Sequence, residues 1–135
     1  MLYFNVHSLL SKIDDLRINC SLFSPGVVCV VETWLDDSID DSKSFVQGYS
    51  VYRLDRNRHG SGVLIYDNDM FSSSVLYKGS PEFELLVISV HCSVDPSPDF
   101  CIALFYRPPS STYSLLILCF LHCAIFLFLY HVTFY

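Results

Sequence analysis

Residues 2–35 read LYFNVHSLLSKIDDLRINCSLFSPGVVCVVETWL, and this stretch decides the fold. Leu2 to Asn5 is a short apolar run of strand character. Ser8 can cap a helix that carries Leu9, Ile13, Leu16 and Cys20 on one face, at spacings of four, three and four. Ser24-Pro25-Gly26 ends that helix. Val27-Val28-Cys29-Val30-Val31 is continuously apolar and mostly β-branched, as in a strand buried on both faces. Strand, helix and buried strand make a βαβ unit, whose strands run parallel. Asn5 and Glu32, each at the C-terminal end of a strand, are thereby directed to one sheet edge, the edge at which open α/β sheets hold their ligands.

Beyond this unit the pattern changes. Asp36 to Ser44 is acidic and serine-rich and reads as a solvated loop. Short strands follow at Tyr49–Leu54, Gly62–Tyr66, Ser73–Tyr77, Leu85–Val90 and Cys101–Tyr106, with turn residues between them. Asp95-Pro96-Ser97-Pro98-Asp99 is a loop whose length suits a hairpin connection. One helix and about seven strands predict an α/β fold of α+β character.

The chain has 135 residues, a net charge of −6 and a hydrophobic content of 52%. An acidic chain is not a general nucleic-acid coat, because such affinity comes from neutralising phosphates. An acidic enzyme that holds a divalent cation stays possible, the cation supplying the positive charge at a phosphate. The six cysteines form no C-x-x-C pair and no zinc spacing, which predicts buried reduced thiols and an intracellular compartment, nuclear or cytoplasmic. The five histidines show no ligand spacing.

Four features could carry chemistry. Asn5 can hold a phosphate oxygen or orient a carboxylate, or simply satisfy the turn into the helix. Glu32 directly follows five apolar strand residues; a hard cation is one natural partner for it, exposure at the strand exit the plainer alternative. Arg53, Asp55, Arg56 and Arg58 cluster in an otherwise acidic chain, either as phosphate contacts or as a solvated hairpin with internal Arg–Asp pairing. Tyr106 closes the last strand and can contact a phosphate or merely pack. Trp34 reads as a packing residue, and Gly60-Ser61-Gly62 as a turn, because no helix follows to make a phosphate cradle.

Taken in order, N-V-H-S-L-L-S-K-I-D-D-L-R, V-V-C-V-V-E-T-W-L-D, G-Y-S-V-Y-R-L-D-R-N-R-H-G-S-G-V-L-I-Y and F-Y-R-P-P resemble the endonuclease/exonuclease/phosphatase superfamily. The likeness is closest to the apurinic-type endonuclease domain of non-LTR retrotransposon polyproteins, and it covers roughly Leu2 to Ser111. The resemblance implies a four-layered α/β sandwich, here truncated, that hydrolyses phosphodiesters of DNA with Mg²⁺ or Mn²⁺. It assigns Asn5 to support of the scissile phosphate, Glu32 to the metal and Tyr106 to the phosphate. It implies no protein partner. His7 stands where the wider family often has an acidic residue, and Ser61 where a glycine is common. A lipid- or inositol-phosphate phosphatase is disfavoured by the E-T-W-L and R-x-D-R context.

The family pattern continues with D-x-N and D-H elements, but this chain has no Asp after Asp99. Loss of several groups that act together removes most of a rate, so the chain by itself is expected to be inactive. Composition breaks at the same place. All 22 charged residues lie between Lys12 and Arg107, and residues 115–135, LLILCFLHCAIFLFLYHVTFY, are almost wholly apolar. The chain therefore divides into a partial domain, 1–111, and an apolar tail, 112–135. The tail is either out-of-family sequence from a frameshift or read-through, or a membrane segment of spanning length. The second reading makes the chain a small tail-anchored membrane protein with a non-catalytic nuclease remnant.

Overall fold

A computed structural model describes residues 1–57, 59–80, 83–92 and 100–106. These form a four-stranded sheet of order β1-β2-β4-β3 and a three-stranded sheet of order β5-β6-β7. The strands of the first sheet are β1 (Leu2–Asn5), β2 (Val27–Val31), β3 (Tyr49–Leu54) and β4 (Val63–Asn68). Those of the second are β5 (Phe71–Ser80), β6 (Phe83–Cys92) and β7 (Phe100–Tyr106). Helix α1 (Ile13–Phe23) crosses between β1 and β2, which are parallel as the βαβ reading requires. All other strand pairs are antiparallel.

Two apolar layers hold the elements together, and strand alternation decides which residue joins which. Val28, Val30, Leu64 and Tyr66 face α1 and pack with Leu9, Ile13, Leu16 and Cys20. Val27, Cys29, Val31, Val63 and Ile65 point the other way, onto Leu86, Ile88, Val90 and Leu104 of the second sheet. All five residues of β2 are buried, as a continuous apolar run between a helix layer and a second sheet should be. Burial pushes the Cys29 thiol up to about 12, so it is an inert core group. Cys20 and Cys29 are buried as expected, whereas Cys92 and Cys101 are only half-buried; all four are free thiols.

Local structure departs from the sequence reading in three places. Ser8 does not cap α1. Its N–H and that of Leu9 are drawn to the Glu32 and Thr33 carbonyls (both 2.9 Å), which extends the β1–β2 pairing. Ser8 sits at φ 93°, outside the extended region a capping residue uses, and Leu9–Ser11 is a single 3₁₀ turn before α1 begins at Ile13. Within the acidic 36–44 segment, Asp40 accepts from the Ser42 N–H (2.8 Å) and starts a short helix α2 (Asp41–Ser44). Ser44 ends fully buried, because its carbonyl accepts from the Tyr66 phenol (2.6 Å). Strands β5, β6 and β7 are each longer than their apolar cores, since the cross-strand ladder carries polar residues such as Ser72–Ser74 along with it.

The 95–99 loop and residues 112–135 lie outside the described residues. Among the described residues no helix is long and apolar enough to cross a membrane.

Candidate phosphate and metal site

Asn5 and Val31 are register partners at the ends of β1 and β2, so Glu32 follows immediately beside Asn5. The pairing does not stop there. Residues 32–34 are gripped from one side by the Ser8 and Leu9 amides. From the other side Thr33 N–H donates to the Gly62 carbonyl (3.3 Å) and Trp34 N–H to the Ser61 carbonyl (3.0 Å). The backbone bends sharply to meet these demands. Of six non-glycine residues at positive φ among the described residues, five surround this point: His7 (44°), Ser8 (93°), Glu32 (59°), Trp34 (55°) and Ser61 (71°). Left-handed geometry costs a non-glycine residue about 1–2 kcal/mol, and its concentration at one end of the sandwich makes that end the candidate site.

The strain aims Glu32 inward. Its carboxylate is half-buried and accepts three bonds: Trp34 Nε1–H (2.8 Å) and the Ser61 N–H (3.3 Å) reach Oε2, and the Tyr106 hydroxyl donates to Oε1, which leaves acceptor capacity on Oε1. Glu32 and Tyr106 lie on different sheets and 74 positions apart, so only the sandwich brings them together. Asn5 stands exposed on the neighbouring strand. Tyr3, two residues below it on the same face, packs into the inter-sheet core. Burial, then the Cys29 thiol and the Glu32 charge, raise its phenol above the ordinary tyrosine value.

Trp34 is thus more than a packing residue. Its indole N–H fixes one Glu32 oxygen, and its ring meets His7 edge-on at 6.3 Å between centroids. Gly62 is equally constrained. It sits at φ +92°, and a Cβ there would lie 2.4 Å from Thr33 Oγ1. The Gly60-Ser61-Gly62 turn is therefore part of the site wall, a role its turn-like sequence did not reveal.

Sequence reasoning missed one charged residue. Glu84 on β6 is 1% exposed; it accepts from the Gly62 N–H (2.8 Å) and from Arg56 Nη1 (3.4 Å). It is the register partner of Tyr106. A signal was present: Glu84, Leu86, Ile88 and Val90 share one parity, and the three apolar members face the core. The signal was masked because Phe83, Leu85 and Val87 make the other parity look just as apolar. The basic cluster also resolves. Arg53 pairs with Asp55 and Asp41 and donates to the carbonyls of Ile39 (3.0 Å) and Asp36 (3.2 Å), pinning the acidic loop, so it is structural. Arg58 lies outside the described residues. A groove of 710 Å³ runs beside Arg53 between Asp37, Asp41 and Lys78. It is open and acidic, touches neither Glu32 nor Tyr106, and is not the site.

The donor set suits a magnesium-like ion in kind. Such an ion binds through one or two carboxylates and keeps waters or phosphate oxygens for the rest, and Glu32 is a carboxylate of that sort. Among the described residues no group of three His, Cys, Asp or Glu forms a complete cage.

No protein-family model matches the sequence, and no curated protein does. Solved structures do resemble it. The chain is 23% identical to an AP endonuclease of Leishmania major, with a TM-score of 0.61 over 88% of this chain and 42% of that one. It is 16% identical to an AP endonuclease from Archaeoglobus fulgidus, with a TM-score of 0.56 over 79% of this chain and 40% of that one. The human Nocturnin catalytic domain, solved with a bound sulfate anion, gives 14% identity and a TM-score of 0.53 over 78% of this chain and 49% of that one. The chain spans less than half the length of each. Two sheets packed face to face and a parallel βαβ start agree with these likenesses: the fold, and it alone, is that of the endonuclease/exonuclease/phosphatase proteins.

Proposed function

We propose that residues 1–111 are the first part of a divalent-metal-dependent domain that hydrolyses phosphodiesters of DNA, derived from a retrotransposon-like element. One observation carries this reading: Glu32 and Tyr106, from different sheets, meet at the strand end where Asn5 also stands. Glu32 would hold Mg²⁺ or Mn²⁺, whose chemistry is to neutralise charge on a phosphate. The Tyr106 hydroxyl, on giving up its bond to Glu32, would donate to a phosphate oxygen, and the Asn5 amide would support that phosphate from the neighbouring strand. Trp34 and the Ser61 N–H keep the Glu32 carboxylate in one orientation.

Among the described residues no group of three His, Cys, Asp or Glu gathers at the site, so in this reading the chain holds a half-site and does not turn over by itself. Residues 112–135 lie outside the domain in this reading. Nicking of supercoiled plasmid in Mg²⁺ by the purified chain tests it, with no nicking expected; metal-dependent nicking abolished by Glu32→Gln would overturn the inactivity. Calorimetric titration with Mn²⁺ tests the site itself. Weak binding that disappears in Glu32→Gln is expected, and identical binding by the variant would remove the site. The retrotransposon origin fails if the encoding nucleic acid carries no D-x-N or D-H element in any frame downstream.

A further inference from the structure

We infer that Arg56, held by the buried Glu84, is a second phosphate anchor beside Tyr106, so that the site takes a polynucleotide strand rather than an isolated phosphate ester. This rests on the reading above and specifies its substrate. The argument begins with Glu84, a fully buried carboxylate that must be compensated. Its compensation is lopsided. The Gly62 N–H is close, at 2.8 Å, whereas Arg56 makes a single long contact of 3.4 Å. An arginine recruited only to neutralise a buried acid looks like Arg53. That guanidinium is 11% exposed, faces an equally buried Asp55, and spends Nε, Nη1 and Nη2 on protein acceptors.

Arg56 is built differently. Its side chain is 37% exposed, and one Nη1 contact is all that the described residues take from its five N–H donors. With the side chain more than a third exposed, donors remain for a phosphate, which a guanidinium can bind through two parallel bonds. Register then fixes where it stands. Glu84 and Tyr106 are direct cross-strand partners, so their side chains are near neighbours on one face. Gly62, gripped by Glu84, follows the Ser61 whose N–H holds Glu32. Arg56 is thus one contact removed from Tyr106 and on the opposite flank from Asn5. A strand whose reacting phosphate sits at Tyr106 brings its next phosphate to this flank. In a chain of net charge −6, an arginine with donors to spare beside the site offsets the repulsion of a polyanion there.

The test is binding of a short fluorescein-labelled DNA duplex in magnesium buffer to the full chain, read by anisotropy across a salt series. Arg56→Ala should lower the slope of log affinity against log salt by about one, while Arg56→Lys keeps it and Arg17→Ala, at a remote surface pair, leaves it unchanged. Because Arg56→Ala strands Glu84, the paired variant Arg56→Gln/Glu84→Gln, which keeps an acceptor for Gly62, should show the same loss with an intact melting transition. Binding of a nucleoside monophosphate should be unaffected in both. An unchanged slope in the paired variant overturns the anchor. Equal weakening of the monophosphate overturns it as a second subsite and moves Arg56 into the reacting-phosphate site. Failure of the wild-type chain to bind DNA at all sinks both this inference and the proposed function.

Discussion

The two ends of the sandwich treat buried carboxylates in opposite ways. At the site end Glu32 receives three donors and Glu84 two. At the far end Asp67, on the inward parity of β4 with Val63 and Ile65, is completely buried, and among the described residues neither of its oxygens has a donor within hydrogen-bond geometry. The Ser73 hydroxyl, the donor near it, is shared with the Tyr52 phenol 2.8 Å away. The difference separates charge that is kept for chemistry from charge that is only a burden. Glu32 and Glu84 are surrounded by backbone forced into costly conformations to serve them, whereas nothing in the fold bends toward Asp67. Breaking the site end should therefore be expensive, and removing the far-end charge should help.

The largest effect is expected at Gly62. Gly62→Ala must adopt φ near +92° and push into Thr33 Oγ1, which takes the wall away from both Glu32 and Glu84. A loss of about 3 kcal/mol is expected, measured by thermal unfolding followed by circular dichroism; a melting point unchanged from wild type would show that the 60–62 turn is not tied to the site. Next comes Asp67→Asn, which should stabilise the protein at neutral pH by about 1–2 kcal/mol by removing an unpartnered buried charge.

The pH dependence of that gain has a definite sign. Burial raises the Asp67 carboxyl above the ordinary aspartate value; the Ser73 hydroxyl pulls it back in part, and the Asp69 charge adds to the rise. The folded protein thus holds this proton more tightly than the unfolded chain. The stabilisation is complete below the ordinary aspartate range and is lost as pH rises through the raised value. The gap between variant and wild type should be smallest in acid and widen toward neutrality, and a gap that narrowed as pH rose would show that Asp67 has a partner.

Trp34→Phe probes the site end more gently. It keeps an aromatic ring beside His7 but removes the N–H that holds Glu32 Oε2. A cost of about 1.5 kcal/mol is expected in the same unfolding measurement, and none if the indole only packs. The smallest effect has the opposite sign. Ser61 occupies φ 71° and buries an unpartnered hydroxyl. Ser61→Gly should stabilise by about 1 kcal/mol, which fits the sequence expectation that glycine is the usual residue here. A loss of stability on Ser61→Gly would mean that the hydroxyl, not the conformation, matters.

Much of the frame was legible in the chain itself. The bounds of β1 and β2 follow from runs of apolar residues and those of β3 from a short strand-forming stretch between turns, and Glu32 announced itself as a carboxylate directly after one of the apolar runs. Its neighbour Asn5 followed from the parallel crossover alone. Ser8 misled, because a serine before an apolar helix face is a sound capping signal only when its own backbone is free, and here the Glu32 carbonyl claims its N–H. Glu84 was invisible because both faces of β6 are apolar in sequence while only one faces the first sheet.

The amino-acid order by itself determined the βαβ start, the two-faced burial of β2 and the break in composition near Pro109. Each depends on residues a few positions apart, and local periodicity and chain stiffness act over that range. Only the tertiary structure decided that Tyr106 meets Glu32, that Glu84 rather than an aspartate engages Arg56, and that Asp67 is left alone. Whether a carboxylate is useful, tolerated or costly depends on how much water it loses and which donors replace that water. Those donors arrive from strands dozens of residues away, through a register that no single segment encodes.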